Sequence, residues 1–177
     1  MRAFIAVEPP SAFAHEVADM ARQLSAHMDG RFAARSSYHV TLAFLGEIGE
    51  AEARSAMAAL EAATSGVAPV ALRSTGLGKF GRASDATLWL GLDGERGLNA
   101  LAARVREELA DRGVAYDDSK TFLAHLTLAR RARIPRADLP ALPFPNEAPA
   151  TRVTLFKSLL EPDGAVYKPL HTVELEG

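Results

Sequence analysis

The 177-residue sequence contains no cysteine. This absence excludes disulfide bonds, thiolate nucleophiles, and zinc or iron–sulfur centres held by cysteine. Long apolar runs are absent too, since no stretch approaches the roughly 20 residues of a membrane-spanning helix. The apolar start of the chain is cut short by Glu8-Pro9-Pro10. We therefore predict no signal peptide and expect a cytoplasmic protein.

Positive charge is not in excess, because the net charge is −2 at pH 7. This balance disfavours a strongly cationic nucleic-acid binder but leaves room for a local basic patch. Four arginines close together in the sequence fit such a patch or, equally well, a solvated loop: Arg130, Arg131, Arg133 and Arg136.

The hydrophobic pattern predicts helices interleaved with strands. Helices are expected at about 11–28, 50–64 and 98–112, with Ser11 capping the first and Gly30 ending it. Strands are expected at 4–7, 38–46, 67–72, 86–92 and 122–130, with a terminal hairpin at 152–160 and 166–175. The segments 67–72 and 86–92 are expected to pair through a glycine-rich connection at 76–81, and 135–149 to form a proline-rich loop.

The order strand–helix–strand occurs before residue 50 and again between residues 86 and 130, and no linker divides the chain. We therefore predict a single α+β domain over residues 1–177, built from two pseudo-symmetric lobes.

Two short segments nearly repeat each other: His39-Val40-Thr41-Leu42-Ala43 and His125-Leu126-Thr127-Leu128-Ala129. Side chains alternate between the faces of a strand, so each His should share a face with its Thr, while Val40, Leu42 and Phe44 should point the other way. A buried face does not favour an imidazole beside a hydroxyl unless both meet a partner. The repeat therefore predicts one cavity lined by two histidines and two threonines.

Such a cavity suits phosphodiester cleavage. One neutral imidazole acts as general base and one imidazolium as general acid, while threonine hydroxyls donate to the non-bridging oxygens. The sequence has no His-x-x-x-His and no carboxylate cluster beside either motif, so we expect neither a metal nor another cofactor. Asp117 and Asp118, upstream of His125, are expected to form a surface turn.

The paired His-x-Thr motifs resemble those of the 2H phosphoesterase superfamily, specifically its bacterial RNA 2′,3′-cyclic phosphodiesterases, also called 2′-5′ RNA ligases. The resemblance covers nearly the whole chain, including residues 1–7, 39–47 and 76–80, Leu88-Trp89, residues 125–130, and Ser158, Pro162, Gly164 and Tyr167. The sequence departs from the family pattern at two places, since it lacks an aromatic residue such as Trp near Phe32 and has Ala124 where a Pro is expected. These differences concern substrate contacts more than chemistry.

The resemblance implies two lobes, each an antiparallel sheet flanked by helices, with a cleft between them. It implies hydrolysis of RNA 2′,3′-cyclic phosphate ends to 2′-phosphates, and the same site would allow 2′-5′ ligation. We expect the protein to be a monomer. His39 would protonate the leaving 3′ oxygen, His125 would accept a proton from water, and Thr41 and Thr127 would bind the phosphate.

Two further residues and two other functions remain open at this stage. Arg130 would bind substrate only if a bulge turns it toward the cleft, because strict alternation points it away. Phe4 is expected in the core, with stacking on a base as the alternative. The same site would also suit a small nucleotide or ADP-ribose cyclic phosphate, or a non-catalytic module that binds RNA ends.

Overall fold

The computed structural model describes residues 1–177, which form three helices and ten strands. The helices are α1 (Ser11–Ser25), α2 (Glu50–Thr64) and α3 (Leu98–Asp111). The strands are β1 (Arg2–Glu8), β2 (Arg31–Phe32), β3 (Val40–Glu47), β4 (Val70–Leu72), β5 (Ser74–Arg82), β6 (Asp85–Leu92), β7 (His125–Ala132), β8 (Ala148–Ala150), β9 (Arg152–Glu161) and β10 (Gly164–Glu174).

Helix α1 buries the predicted apolar face, since Phe13, Val17, Met20 and Leu24 are all fully buried. Its ends differ from the prediction. The N-cap is Pro10, without a side-chain cap, so Ser11 begins the helix instead of capping it. The helix ends at Ser25, before the predicted residue 28 and before Gly30, because the next amides bond three residues back and tighten the last turn.

Two four-stranded antiparallel sheets form the two lobes, in the orders β10-β9-β1-β3 and β2-β7-β6-β5. Each His-x-Thr strand pairs with the strand that precedes it in its strand–helix–strand unit: β3 with β1, and β7 with β6. This arrangement gives the lobes their pseudo-two-fold relation, as predicted. A single cluster of 40 buried residues runs through both lobes.

The glycine-rich stretch is strand β5, which pairs with β6, so the predicted connection is wrong. Gly78 lies opposite Trp89, and a Cβ there would collide with the indole ring. The glycine therefore makes room for a cross-strand partner and does not mark a turn. Strand β4 pairs instead with β8, at the end of the predicted proline-rich loop. The terminal β9–β10 hairpin forms as predicted.

Candidate active site

The structure brings both His-x-Thr motifs to one cavity of about 520 Å³ between the lobes. His39 and Thr41 enter it from the first lobe, and His125, Thr127 and Arg130 from the second. The other lining residues are Arg2, Ala3, Phe4, Phe44, Leu45, Gly46, Asp117, Ser158 and Tyr167.

A β-bulge follows the threonine of each motif. In the first lobe Ala6 pairs with Thr41 and Ile5 with Ala43, which leaves Leu42 without a partner on β1. In the second lobe Trp89 pairs with Thr127 and Leu88 with Ala129, which leaves Leu128 without a partner on β6. An extra residue reverses which face later side chains occupy. The five-residue repeat thus encodes a bend as well as two polar groups.

The bulges turn Phe44 and Arg130 into the cleft. Each lies three residues after a motif threonine, and each lines the cavity. The prediction that Phe44 points away from His39 is therefore wrong, because alternation ignored the bulge. The Phe44 side chain is 51% exposed. Arg130 lies in the cleft after the bulge, which is the condition under which it could bind substrate.

Both imidazoles are oriented by the backbone two residues upstream. His39 Nδ1 lies 2.8 Å from the carbonyl oxygen of Ser37, and His125 Nδ1 lies 2.6 Å from that of Leu123. A carbonyl only accepts hydrogen bonds, so Nδ1 carries the proton in each ring. Nε2 is then left to take up or release a proton.

Aromatic rings hold both histidines in matching ways. His39 meets Tyr167 edge-on at 5.2 Å between ring centroids and Phe4 at a tilt at 4.8 Å. His125 meets Phe80 edge-on at 5.3 Å and Trp89 at 5.7 Å. Phe4 is buried, as expected, yet it lies under His39 at the edge of the cavity. These contacts restrict ring rotation without adding a charged partner.

Burial lowers the pKa of His39 below its usual value. The positive charge of Arg130 and the second imidazole act in the same direction, while the hydrogen bond to Ser37 partly opposes them. An anion bound between these groups would favour the protonated form of His39.

The loop after α3 brings Asp117 to the cavity, where only a surface turn was expected. The Asp117 amide donates to the Phe44 carbonyl at 2.8 Å. The Ser119 hydroxyl and amide donate to its carboxylate at 2.6 and 3.0 Å, which lowers the pKa of Asp117. This Asp-x-Ser pattern has the form of an ordinary turn, so the sequence carried no signal of its position beside β3.

A second chamber of about 1040 Å³ continues the cleft between strands of the second lobe and residues 161–165 of the β9–β10 hairpin. It shares His39, Thr127, Arg130 and Tyr167 with the first chamber. Arg31 and Phe32 also line it, as does Arg131, whose guanidinium lies 3.0 Å from Asp85. Arg130 and Arg131 are thus the two members of the predicted basic patch that line the cleft chambers.

No group of three or more His, Cys, Asp or Glu side chains in the structure is arranged to hold a metal ion. None of the helices combines the length and apolar character needed to cross a bilayer.

Residues 9–160 match the sequence profile of the 2′-5′ RNA ligase superfamily. This chain belongs to that superfamily. An RNA 2′,3′-cyclic phosphodiesterase of Archaeoglobus fulgidus is 30% identical over 98% of this chain and 100% of its own length. A relative of the same name in Thermotoga maritima is 27% identical over 100% of this chain and 97% of its own length.

Solved structures of the superfamily share the architecture. TT0787 of Thermus thermophilus superposes with a TM-score of 0.81 at 30% identity, covering 100% of this chain and 99% of that protein. Apo LigT of E. coli superposes with a TM-score of 0.76 at 26% identity, covering 99% and 98% of the two chains. The predicted family and bilobal fold are confirmed, and the chain is an enzyme of the 2′-5′ RNA ligase superfamily.

Proposed function

We propose that this enzyme hydrolyses RNA 2′,3′-cyclic phosphate ends to 2′-phosphomonoesters by two-histidine acid–base catalysis without a metal. The observation that carries the proposal is the pair of matched imidazoles, His39 and His125, whose Nδ1 atoms are both held by backbone carbonyls. Each Nε2 is thereby left to exchange protons with substrate on opposite sides of one cavity. The names of the relatives support the substrate class.

The roles in the proposed mechanism are those that the family resemblance implies, and the positions of these groups in one cavity support them. His125 takes a proton from water as the water oxygen bonds to phosphorus, and His39 gives a proton to the 3′ oxygen as its bond to phosphorus breaks. Thr41, Thr127 and Arg130 donate to the non-bridging oxygens, where charge accumulates in the transition state. The phosphate stays on the 2′ oxygen.

The environment of His39 suits the role of acid. Because burial, Arg130 and His125 lower its pKa, the imidazolium gives up its proton readily once formed. The phosphate anion supplies the negative charge that keeps this imidazolium in place until the leaving oxygen needs it. The protein thus sets how strong an acid the His39 imidazolium is, and the substrate phosphate keeps His39 protonated until the proton is transferred.

The same site accommodates ligation. A 5′-hydroxyl in place of water would leave a 2′-5′ phosphodiester, with both histidines in the roles they have in hydrolysis. In the reverse cleavage of that bond they would exchange roles.

The shape of the cleft favours an RNA end over a small cyclic phosphate. The second chamber extends beyond the histidines and carries Arg31 and Arg130, which can contact a phosphate backbone; its carboxylates are Asp85, Glu161 and Asp163. A cyclic mononucleotide would leave that chamber unused. Every group invoked comes from a single chain, so we propose that the protein acts as a monomer, with residues 1–177 as one bilobal unit.

One assay tests the substrate and the metal independence together. A short RNA with a 2′,3′-cyclic phosphate end and the matching cyclic mononucleotide are compared at equal concentration, with and without saturating EDTA. We expect the RNA to be hydrolysed with the higher kcat/KM and EDTA to have no effect. Preference for the mononucleotide would favour the small-molecule substrate, binding without turnover would favour an RNA-end-binding module, and loss with EDTA restored by a divalent ion would refute the metal-free mechanism.

A further inference from the structure

Arg106 on α3 connects the segments that carry the two motifs. Its Nε donates to the carbonyl of Leu42, the bulge residue of the first motif, at 2.9 Å. Its guanidinium lies over the rings of Tyr116 and Phe122, at 5.5 and 5.6 Å from their centroids. Phe122 directly precedes Leu123, the residue whose carbonyl orients His125.

The pseudo-two-fold relation explains why the Leu42 carbonyl needs this donor. In the second lobe the matching bulge carbonyl, that of Leu128, accepts from the Ala33 amide at 2.8 Å. Ala33 directly follows strand β2, which flanks β7. Strand β3 is the last strand of its own sheet, so no strand lies on its outer side.

The loop after α3 passes the outer side of β3 but donates no backbone hydrogen bond to the Leu42 carbonyl. Asp117 pairs with Phe44 there much as Arg31 pairs with Arg130 in the other lobe. Two residues further on, the Ser119 amide bonds the Asp117 carboxylate at 3.0 Å. By the pseudo-symmetry this is the amide that would have met Leu42. The Arg106 side chain supplies the donor that the loop backbone does not.

We propose that Arg106 is a positioning residue that sets Thr41 and His125 relative to each other across the cleft. The bond to the Leu42 carbonyl fixes the peptide between Leu42 and Ala43, one residue beyond Thr41. The stacking on Phe122 fixes the segment that presents the Leu123 carbonyl to His125. A planar, permanently charged group makes both contacts at once, which suits arginine and not lysine. The expected effect on turnover rests on the proposed function.

Arg104 provides a matched control on the same helix. Its Nε donates to the Ala63 carbonyl at 2.8 Å, which ties α3 to the end of α2 without touching either motif. Loss of this bond should cost stability, as loss of the Arg106 bond should. A purely structural role for Arg106 therefore predicts that the two positions behave alike.

The test compares Arg106→Met with Arg104→Met, using thermal unfolding and steady-state kinetics on a cyclic-phosphate RNA end. Both variants should unfold at a lower temperature. Arg106→Met should lower kcat about 10- to 100-fold with KM little changed, because a misplacement of about 1 Å can cost about 10²-fold. Arg104→Met should keep kcat within about twofold. Equal effects on kcat, or none at Arg106, would overturn the proposal.

Two further measurements keep the result decisive. Arg106→Lys keeps the charge but loses the planar group, so it should also lower kcat; wild-type kcat in the folded lysine variant would overturn the proposal, even if the methionine variant fails to fold. NMR of the histidine side chains needs no turnover. The His125 imidazole signals should move in the Arg106 variants and not in Arg104→Met, and unmoved signals would refute the positioning role. A wild-type protein inactive on the RNA end would count against the proposed function, while the NMR comparison would still decide the role of Arg106.

Discussion

The two lobes share the same local structure around the His-x-Thr motif but differ in the residues beside it. Each has a His-x-Thr-Leu-Ala segment, a bulge at the leucine, a carbonyl two residues upstream that holds the imidazole, and an aromatic ring edge-on to it. The residue three positions after the threonine differs, being Phe44 in the first lobe and Arg130 in the second. The shared features place the two imidazoles alike, and the differing residues give them unequal environments.

The proposed reaction is asymmetric, and this inequality would allow a pseudo-symmetric scaffold to perform it. Arg130 adds positive charge where the phosphate is proposed to lie, and it also lowers the pKa of His39. Phe44, from the first lobe, adds a flat apolar surface to the same cavity, which Arg2 of that lobe also lines. We propose that a nucleoside contacts Phe44 and that Arg130 supplies charge for the phosphate.

The largest test of the comparison removes one imidazole at a time. His39→Ala and His125→Ala should each reduce kcat by about 10²–10⁴-fold, the usual contribution of a general acid or base. His15→Ala and His171→Ala, outside the cavity, should retain near-normal rates. Steady-state assays on a cyclic-phosphate RNA end measure the effect. Near-normal turnover in His39→Ala would show that the two lobes do not share the chemistry.

The next test targets the residues that make the lobes differ. Arg130→Met should lower kcat/KM about 10²-fold, since it removes a charged donor to the developing oxyanion. Phe44→Leu should mainly raise KM, by about tenfold, because base stacking on an aromatic ring contributes about 1–3 kcal/mol. If Phe44→Leu lowers kcat as much as Arg130→Met does, the proposed division between nucleoside and phosphate is wrong.

Much of this comparison between the lobes could be predicted from the sequence. What could not be predicted depends on contacts that a linear pattern does not record. Near-identical five-residue segments predicted that both histidines and both threonines meet in one cavity, because short repeats in a repeated fold occupy equivalent sites. Alternation then misplaced Phe44, since a bulge leaves no mark in hydrophobic periodicity. The predicted glycine-rich connection at 76–81 was wrong because the role of Gly78 depends on Trp89, a cross-strand neighbour that only the register reveals. Asp117 and Arg106 are placed by tertiary contacts, which local sequence does not encode.

The pH profile tests the unequal roles with a smaller effect. The proposed mechanism requires one histidine protonated and the other neutral in the same molecule, so kcat/KM should be bell-shaped, with limbs that belong to the pair. With His39 as the acid, the product should be the 2′-phosphomonoester alone. Phosphorus NMR, or resistance to a 3′-specific phosphatase, identifies it. A predominant 3′-phosphate would mean that the substrate lies reversed and that the assigned acid and base roles are wrong.

The smallest effect concerns stability and needs no substrate. Burial lowers the pKa of His39 in the folded protein, whereas in the unfolded chain it titrates near its ordinary value of about 6.5. Above that pH both states are neutral at this residue and the shift costs nothing. As the pH falls below about 6.5, the unfolded chain takes up a proton that the folded protein resists, so stability is lost until the folded pKa is passed.

His39→Gln removes this titration while keeping a polar side chain of similar reach. The wild-type Tm should therefore fall relative to that of the variant between pH 8 and pH 5, in a buffer free of phosphate and other binding anions. Groups elsewhere titrate in both proteins and cancel in the difference. His27→Gln, at an exposed position just after α1, is the matched control and should not reproduce the trend. A Tm difference between wild type and His39→Gln that stays constant across this range would mean that His39 is no harder to protonate in the folded protein than in the unfolded chain.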